Sequence, residues 1–324
     1  MKTKIVYVVT CSEKNTYLEQ ALVSVYSARL HNPDAGIYIV TDDISAKYID
    51  SSRTEIKKYL TDVLVFDTPA DYNPMKRSRY LKTNLRELIE GDFVYIDTDT
   101  VICQPLDELD NFTDDVSGVA SLHKLYKVNE RKKANEVYKS LGVEIKEDFA
   151  AINGGVIIAK DTEVAHNLYK AWFECWKYCG TKGMFMDQWA LHMAELKTGY
   201  KIKDVSGIWN CQLEARCLNY LHNAKIIHFF SMGSDGKASP YMLRHDDIYQ
   251  DIKRSGKLTE QVLGYINNPY EAFVEDNAII SGMKTDFLTE SWVLFILYRD
   301  HPKLWSVFIK TVNFCGRIIK AVSR

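Results

Sequence analysis

The chain has 324 residues, of which 46% are hydrophobic and 26% are charged, and its net charge at pH 7 is -2. These values are typical of a globular protein with a sizeable core, and they give no reason to expect a nucleic-acid partner. No apolar run reaches the roughly 18 residues that a membrane-spanning helix needs. The seven cysteines include no CxxC pair, and the chain begins Met1-Lys2-Thr3-Lys4 without a secretory leader, so we expect reduced thiols and a cytoplasmic protein.

The first hundred residues alternate between short apolar runs and amphipathic stretches, which predicts a βαβαβαβ order. The predicted strands cover residues 4–10, 36–41, 63–66 and 93–96, and the predicted helices cover residues 16–30, 44–59 and 75–89. Wholly apolar strands between helices predict an α/β fold with a mostly parallel sheet and helices on both of its faces. In such sheets, ligands bind beyond the carboxyl ends of the strands.

The rest of the chain predicts further strands and then helices alone. The strands cover residues 116–122, 153–159 and 225–230, and the helices cover residues 172–178 and 186–196. A lysine-rich stretch over residues 124–147 predicts a helix and loop that lie over the site. From about residue 241 onward we expect only helices, and we therefore predict an α/β domain over 1–240 and a helical C-terminal region over 241–324.

Two carboxylates, Asp97 and Asp99, follow the fourth predicted strand. Alternate residues of an extended chain share a face, so both side chains can bind one cation. Oxygen ligands suit Mg²⁺ or Mn²⁺. The alternative is a solvated turn, but the apolar runs on both sides favour a cation site, because neighbouring carboxylates at a buried edge repel each other unless a cation offsets their charge.

Four elements resemble those of nucleotide-diphospho-sugar transferases with the GT-A fold. They are the first strand leading to Asn15-Thr16-Tyr17, the segment Tyr95-Ile96-Asp97-Thr98-Asp99, the segment Ile152-Asn153-Gly154-Gly155-Val156, and the pair Asp187-Gln188. A fifth, Ile226-Ile227-His228-Phe229, resembles the late metal-ligand strand of these enzymes. The match covers roughly residues 3 to 240 and is greatest with the retaining glycosyltransferase family 8.

The resemblance implies a Rossmann-like GT-A catalytic domain over 1–240. It also implies transfer of a hexose, glucose or galactose, from a UDP-sugar to a glycan or lipid-linked acceptor, with retention of anomeric configuration. Asp97, Asp99 and His228 would hold the metal, and imidazole beside two carboxylates suits Mn²⁺ better than Mg²⁺. The alternative for His228 is a satisfied histidine of the core.

The resemblance further implies a set of donor-binding residues: Val8, Thr10, Tyr17, Arg79, Lys82, Thr98, Asn153, Gly154, Gly155 and Lys237. Lys82 and Arg79 are rivals for one cationic role. Lys237 is a poor match, because nine residues separate it from His228 and Ala238-Ser239-Pro240-Tyr241 replaces the Pro-Trp pair of the family. Its alternative is a solvated loop lysine.

The donor base and sugar would contact different elements. Val8 and Thr10 would offer backbone groups to a pyrimidine, and Tyr17 either stacks on its face or is an ordinary surface tyrosine. Asp42 contacts the ribose or caps the following helix.

The predicted turn at Asn153-Gly154-Gly155 either lets the sugar approach the backbone or is a tight turn without a ligand. The resemblance implies that Asp187 and Gln188 form the catalytic pair, with Asp187 on sugar hydroxyls and Gln188 near the anomeric carbon. The alternative for both is N-terminal capping of their helix. Retention could occur through covalent attack by a protein group, or through a route in which the leaving phosphate guides the acceptor in on the same face. Beyond Asp187 the sequence offers no well-placed carboxylate nucleophile, so we favour the second route.

The chain ends in a basic amphipathic segment, residues 303–324. Lysine or arginine recurs every seven positions in it, at Lys303, Lys310, Arg317 and Arg324, and no acidic residue occurs there. Such a helix favours peripheral contact with the inner face of a membrane. The alternative is a helix packed on the catalytic domain with its charges in water.

Two other functions remain open. A sugar-1-phosphate nucleotidyltransferase also uses metal-binding acids on such a sheet, but it should carry a glycine-rich phosphate loop after the first strand, and residues 10–14 contain no glycine. An inactive nucleotide-sugar-binding module is disfavoured by the presence of Asp97, Asp99 and Asp187.

Overall fold

The structure, a computed structural model, describes residues 1–51, 53–213, 217–231, 241–273 and 291–322. The chain divides into two compact units, Met1–Ala278 and Ile279–Arg324.

In the described residues of the first unit, the strands are β1 Lys4–Val8, β2 Ile37–Thr41, β3 Asp62–Val65, β4 Phe93–Ile96, β5 Thr100–Ile102, β6 Val116–Ala120, β7 Ile152–Ala159, β8 Ile202–Asp204, β9 Cys211–Gln212 and β10 Ile226–His228. The α-helices of the same unit are α1 Tyr17–His31, α2 Asp43–Ile49, α3 Pro74–Thr83, α4 Leu85–Leu88, α5 Lys132–Ser140, α6 Glu163–Thr181, α7 Asp187–Thr198, α8 Leu218–Leu221, α9 Asp246–Ser255 and α10 Glu260–Asn267. The second unit contains α11 Trp292–Asp300 and α12 Pro302–Val322.

The large sheet has the strand order β3-β2-β1-β4-β7-β6-β8. Its neighbouring strands are parallel, except that β7 runs antiparallel to both β4 and β6. A small sheet has the order β5-β10-β9, in which β10 is antiparallel to β5 and parallel to β9. The prediction of a mostly parallel sheet is confirmed.

Helices cover both faces of the large sheet, as predicted. Along β1, Ile5 and Tyr7 pack in a core with the buried face of α1, whereas Val6 and Val8 pack on the other face with α3, α6 and α7. This alternation follows from the two-residue period of a strand. The small sheet joins the α1 face, so it lies beside the carboxyl end of β4.

Two predicted helices are each interrupted. The stretch 44–59 forms α2 and a separate 3₁₀ turn, Ile56–Tyr59, and the stretch 75–89 is divided at Asn84. The Asn84 side chain donates to the Tyr80 carbonyl oxygen (Nδ2–O 2.8 Å), so it competes with the backbone for that acceptor. The prediction of continuous helices was wrong at both places.

Residues 241–273 pack in the first unit. Tyr249 and Ile252 of α9 and Val262 and Ile266 of α10 are fully buried in the core that contains α1. The division into a catalytic domain and a helical region at residue 240 stays a prediction about function.

The second unit carries exposed apolar side chains. Leu304 is 57% exposed, Phe314 is 63% exposed and Ile319 is 65% exposed, all on α12. Among the helices of the described residues, none is long and apolar enough to cross a membrane.

Candidate active site

The two predicted metal ligands lie where the chain passes from the large sheet to the small one. Asp97 and Asp99 follow β4, and half-buried Thr98 lies between them. The turn is fixed at Asp97, whose backbone nitrogen donates to the Gly155 carbonyl oxygen (2.7 Å) and whose carbonyl oxygen accepts from the Thr100 hydroxyl (2.9 Å). The acids therefore emerge at the carboxyl end of the strand, where ligands bind in such sheets.

His228 completes a cluster with these acids. One ligand atom each of Asp97, Asp99 and His228 lies within 4.8 Å of the others. His228 ends β10 and is opposite Thr100 of β5, and its Nε2 lies 3.3 Å from Asp99 Oδ1. It is 2% exposed, so it is a buried histidine that nevertheless faces the acids. Two carboxylates and one imidazole fit a divalent cation such as Mn²⁺.

A second set of contacts orients the imidazole of His228. Its Nδ1 lies 3.1 Å from Asn210 Oδ1, and Asn210 Nδ2 donates to Asn153 Oδ1 (2.9 Å). Asn153 Oδ1 also accepts from the Gly155 backbone nitrogen (2.9 Å). Because an amide oxygen can only accept, Nδ1 donates to Asn210, and this contact leaves Nε2 on the side of Asp99. Such partners commonly orient metal-binding histidines.

Asp99 is held in its ionised form. Its Oδ2 accepts from the backbone nitrogen and the hydroxyl of Ser231, at 2.9 Å and 3.2 Å. Burial acts to raise the pKa of Asp99, but the interactions with His228 and Ser231 outweigh it and hold the pKa below its usual value. The carboxylate is thus available as a ligand at neutral pH.

Lys82 links the metal cluster to Asp187. Its Nζ lies 3.2 Å from Asp97 Oδ1 and 2.8 Å from Asp187 Oδ2, and Arg79 Nε lies 2.9 Å from Asp187 Oδ1. Met186, not Asp187, is the N-cap of α7. Burial acts to raise the pKa of Asp187, but the charges of Lys82 and Arg79 outweigh it, and the pKa lies below its usual value. The two cations predicted as rivals both contact this carboxylate.

Gly154 and Gly155 lie inside β7, so the predicted turn at this position was wrong. A β-carbon on Gly155 would lie 2.3 Å from His228 Cε1, which means that the imidazole occupies the space a side chain would need. A β-carbon on Gly154 would lie 3.6 Å from both Lys82 Nζ and Asp187 Oδ2. Bare backbone therefore borders the Lys82–Asp187 pair, where a ligand can approach closely.

Gln188 lies against the same strand. Its Oε1 accepts from the Gly154 backbone nitrogen (3.0 Å), and its Nε2 donates to the Ile152 carbonyl oxygen. Nε2 also lies 2.7 Å from His192 Nε2. The structure thus brings Gln188 together with Asp187 beside Gly154.

The predicted base-binding residues have different surroundings. Val8 ends β1, and the Thr10 hydroxyl donates to the carbonyl oxygen of Pro74 at the start of α3 (2.8 Å). Tyr17 begins α1 and borders a cavity of about 440 Å³ together with Ser231, which bonds to Asp99. Ser231 therefore borders both this cavity and the metal cluster.

Two further predicted residues have clear outcomes. Asp42 is fully buried, and its carboxylate accepts from the Ser45 backbone nitrogen (2.7 Å) and lies 3.3 Å from Arg77 Nε. Of the two roles predicted for Asp42, the structure gives it the helix cap. Lys237 lies outside the described residues.

Tyr95, Asn210 and Ser231 also contribute to the site, although the sequence did not single them out. The Tyr95 hydroxyl donates to Asp97 Oδ1. A signal for Tyr95 existed, because it lies on β4 two residues before Asp97, and alternate residues of an extended chain share a face. Asn210 and Ser231 come from irregular segments far away in sequence, and no pattern marks them.

The structural comparisons identify the fold. The galactosyltransferase LgtC, solved with donor and acceptor sugar analogues, superposes with a TM-score of 0.52 at 14% identity over 81% of this chain and 99% of LgtC. The bifunctional glycosyltransferase WbbM gives a TM-score of 0.52 at 16% identity over 84% of this chain and 52% of WbbM. GlyE of Streptococcus pneumoniae gives 0.50 at 13% identity over 84% of this chain and 65% of GlyE.

No protein-family model and no curated protein sequence matches the chain. The structural likeness, at 13–16% identity, establishes the fold. The chain has the GT-A fold of nucleotide-sugar glycosyltransferases, as the sequence predicted.

Proposed function

We propose that this protein is a metal-dependent glycosyltransferase of the family 8 type. It transfers a hexose, glucose or galactose, from a UDP-sugar to a glycan or lipid-linked acceptor and retains the anomeric configuration. The observation that carries this proposal is the convergence of Asp97, Asp99 and His228 within 4.8 Å, next to the Lys82–Asp187 ion pair. The GT-A fold also supports the proposal, because LgtC, which shares this fold, was solved with donor and acceptor sugar analogues.

The side chains at this site would interact with different parts of the donor. A divalent cation, when bound by Asp97, Asp99 and His228, would neutralise charge on the departing nucleoside diphosphate. Lys82, which contacts Asp97, adds a positive charge to the same place. Asp187 would accept hydrogen bonds from sugar hydroxyls beside Gly154.

The ion pairs of Asp187 bear on the reaction route. Both of its carboxylate oxygens lie within 3 Å of a cationic nitrogen, Oδ1 of Arg79 and Oδ2 of Lys82. A carboxylate neutralised in this way is a poor nucleophile, because attack would separate it from two neighbouring cations. We therefore favour retention by a route in which the leaving phosphate guides the acceptor to the face that it leaves.

Alanine substitution of Asp97 or Asp99 tests the proposal. We expect wild-type protein with Mn²⁺ to release UDP from a UDP-hexose, and each variant to lose at least about 100-fold in that rate, because one ligand of the cation is missing. Nucleotide release over a panel of UDP-sugars, with and without metal, measures this effect.

Asp92→Ala provides the matched control. Asp92 lies at the amino end of β4, where it pairs with Lys160 (Oδ2–Nζ 3.0 Å), so its loss changes the charge equally at the opposite end of the strand. Its activity should stay close to wild type. Unchanged turnover in Asp97→Ala or Asp99→Ala would contradict the metal role.

We also propose that the enzyme acts at the inner face of a membrane. The support is the combination on α12 of exposed Leu304, Phe314 and Ile319 with Lys303, Lys310 and Arg317, and the absence of acidic residues after position 300 of the sequence. A helix with these features suits an anionic lipid surface. Peripheral contact of this kind would bring the active site to lipid-linked acceptors.

A further inference from the structure

The loop between β1 and α1 is held by side chains from distant parts of the sequence. Residues 12–15 of this loop lead towards Tyr17, the first residue of α1. The carbonyl oxygens of Ser12, Glu13 and Asn15 accept hydrogen bonds from side chains that lie 38 to 240 positions away. The conformation of the loop therefore depends on tertiary contacts with its backbone.

Arg53, which follows α2, joins this loop to the start of α1. Its Nη1 donates to the Ser12 carbonyl oxygen (2.7 Å), and its Nη2 donates to the Asn15 carbonyl oxygen. The same guanidinium pairs with both carboxylate oxygens of Glu19 in the first turn of α1, at 2.7 Å from Nε and 2.8 Å from Nη2. The Arg53 side chain is 8% exposed and that of Glu19 is fully buried. Because a guanidinium carries five N–H donors in one plane, a single side chain can bind the loop and the helix together.

Helix α9 supplies the other contacts to this region. Lys253 Nζ donates to the carbonyl oxygens of Glu13 and Asn15, the latter at 3.4 Å. Asp246, at the start of α9, accepts from the hydroxyl of Thr16, the N-cap of α1 (2.8 Å). Asp246 and Lys253 are two helical turns apart, so they lie on one face of α9. This face of α9 therefore holds the loop at the point where it enters α1.

We propose that Arg53 and Lys253 are positioning residues for the donor nucleoside. They hold the loop 12–15 so that Thr10 before it and Tyr17 after it keep their places at the proposed nucleoside site. The inference rests on the proposed function. A loop that is already ordered loses less conformational entropy when a ligand binds. Release of the loop should therefore weaken donor binding and leave the rate of the chemical step unchanged.

Lys253→Met tests the inference through kinetics. The ammonium group is lost while an unbranched side chain remains, and we expect the KM for the UDP-sugar to rise about three- to tenfold, with kcat within about twofold of wild type. The matched control is Arg254→Met, which removes the same charge from the next residue of α9. Arg254 pairs with Asp251 and not with the loop, so its loss should leave both constants within about twofold of wild type. Equal KM values for the two variants would overturn the inference.

Arg53→Lys tests the other contact with the loop. Lysine keeps the positive charge beside Glu19, but its single nitrogen cannot replace the guanidinium at Glu19 and at both loop carbonyls together. We expect the KM for the donor to rise, again with kcat close to wild type. A fall in kcat at unchanged KM would overturn the inference. Lys253→Met leaves the buried Arg53–Glu19 pair intact, so it decides the question even if Arg53→Lys does not fold.

Trypsin cleavage after Lys14 reports the state of the loop without any turnover. Lys14 is an exposed residue within the loop. We expect this bond to be cut about three- to tenfold faster in Lys253→Met than in wild type or Arg254→Met, because cleavage requires the loop to open. Mass spectrometry of the denatured digest over time measures the rate.

Equal rates of cleavage after Lys14 in all three proteins would overturn the inference even in an active enzyme. Faster cleavage in Lys253→Met, together with wild-type protein that cleaves no UDP-sugar, would count against the proposed function and leave the restraint of the loop established.

Discussion

Gly155 is the residue on which the position of His228 depends most directly. In Gly155→Ala, the added β-carbon would lie 2.3 Å from His228 Cε1 and 2.8 Å from Nδ1, so the ring has to leave its present position beside the acids. We expect the affinity for Mn²⁺ to fall about 10- to 100-fold, as when the support of a ligating histidine is lost. Isothermal titration calorimetry with Mn²⁺ in the absence of donor measures this change.

Gly154→Ala is the control for this substitution. Its added methyl group would meet its nearest neighbours, among them Asp187 and Lys82, at the ordinary contact distance of 3.6 Å. The Mn²⁺ affinity of Gly154→Ala should match wild type. If both alanine variants bound Mn²⁺ as tightly as wild type, His228 would not be a ligand.

The residues that the sequence could predict are those that a local pattern marks. Asp97 and Asp99 are two residues apart directly after an apolar run, and His228 ends another apolar run. The hydrogen bond from Asn210 to Asn153 connects residues 57 positions apart, one directly before β9 and the other in β7. Sequence spacing carries no information about such a contact, so this part of the site required the structure.

At the level of elements, α7 carries an unusual buried acid. Glu195 is 1% exposed and lies near Asp204, and burial raises its pKa to about 8. In the unfolded chain the carboxyl ionises at its ordinary pKa of 4.5, so between pH 4.5 and 8 the unfolded state loses its proton while the folded state keeps it. Stability therefore falls as pH rises through this range, by roughly 3–5 kcal/mol from this group.

Glu195→Gln should remove that fall. We expect the free energy of unfolding of the variant to gain on wild type as pH rises from 4.5 to 8, because the amide does not ionise. Urea unfolding at several pH values measures the difference. Glu174→Gln on the exposed surface of α6 should follow wild type throughout. A constant difference between Glu195→Gln and wild type over this range would contradict the raised pKa of Glu195.

Element boundaries were predictable where tertiary contacts did not intervene. β1, β2 and β4 are apolar runs buried on both faces, and the sequence pattern locates them. β5 and β9 have three and two residues, too few for any period to show, and they become strands only through their pairing with β10. The antiparallel direction of β7 is likewise set by its neighbours and not by its composition.

For the molecule as a whole, a chain that ends at Asp300 tests the membrane proposal. The full chain should float with liposomes that contain anionic lipid, and the shortened chain should stay in solution, because the shortening removes the helix with the exposed apolar residues and the cluster of cations. Flotation in a density gradient measures the bound fraction.

Replacing Lys303, Lys310 and Arg317 with Gln in the full chain separates the contribution of charge. This variant should bind less, and its remaining binding should not depend on the anionic lipid content. Equal flotation of the full and the shortened chain would contradict a role for α12.

The predicted metal ligands are divided between the two sheets of the first unit. Asp97 and Asp99 span the turn from β4 of the large sheet to β5 of the small one, and His228 ends β10, the central strand of the small sheet. A divalent ion bound by all three side chains would therefore connect the two sheets through its ligands. Binding of the ion would then stabilise the packing between the two sheets. The stability of the first unit against unfolding would therefore increase with the occupancy of the metal site.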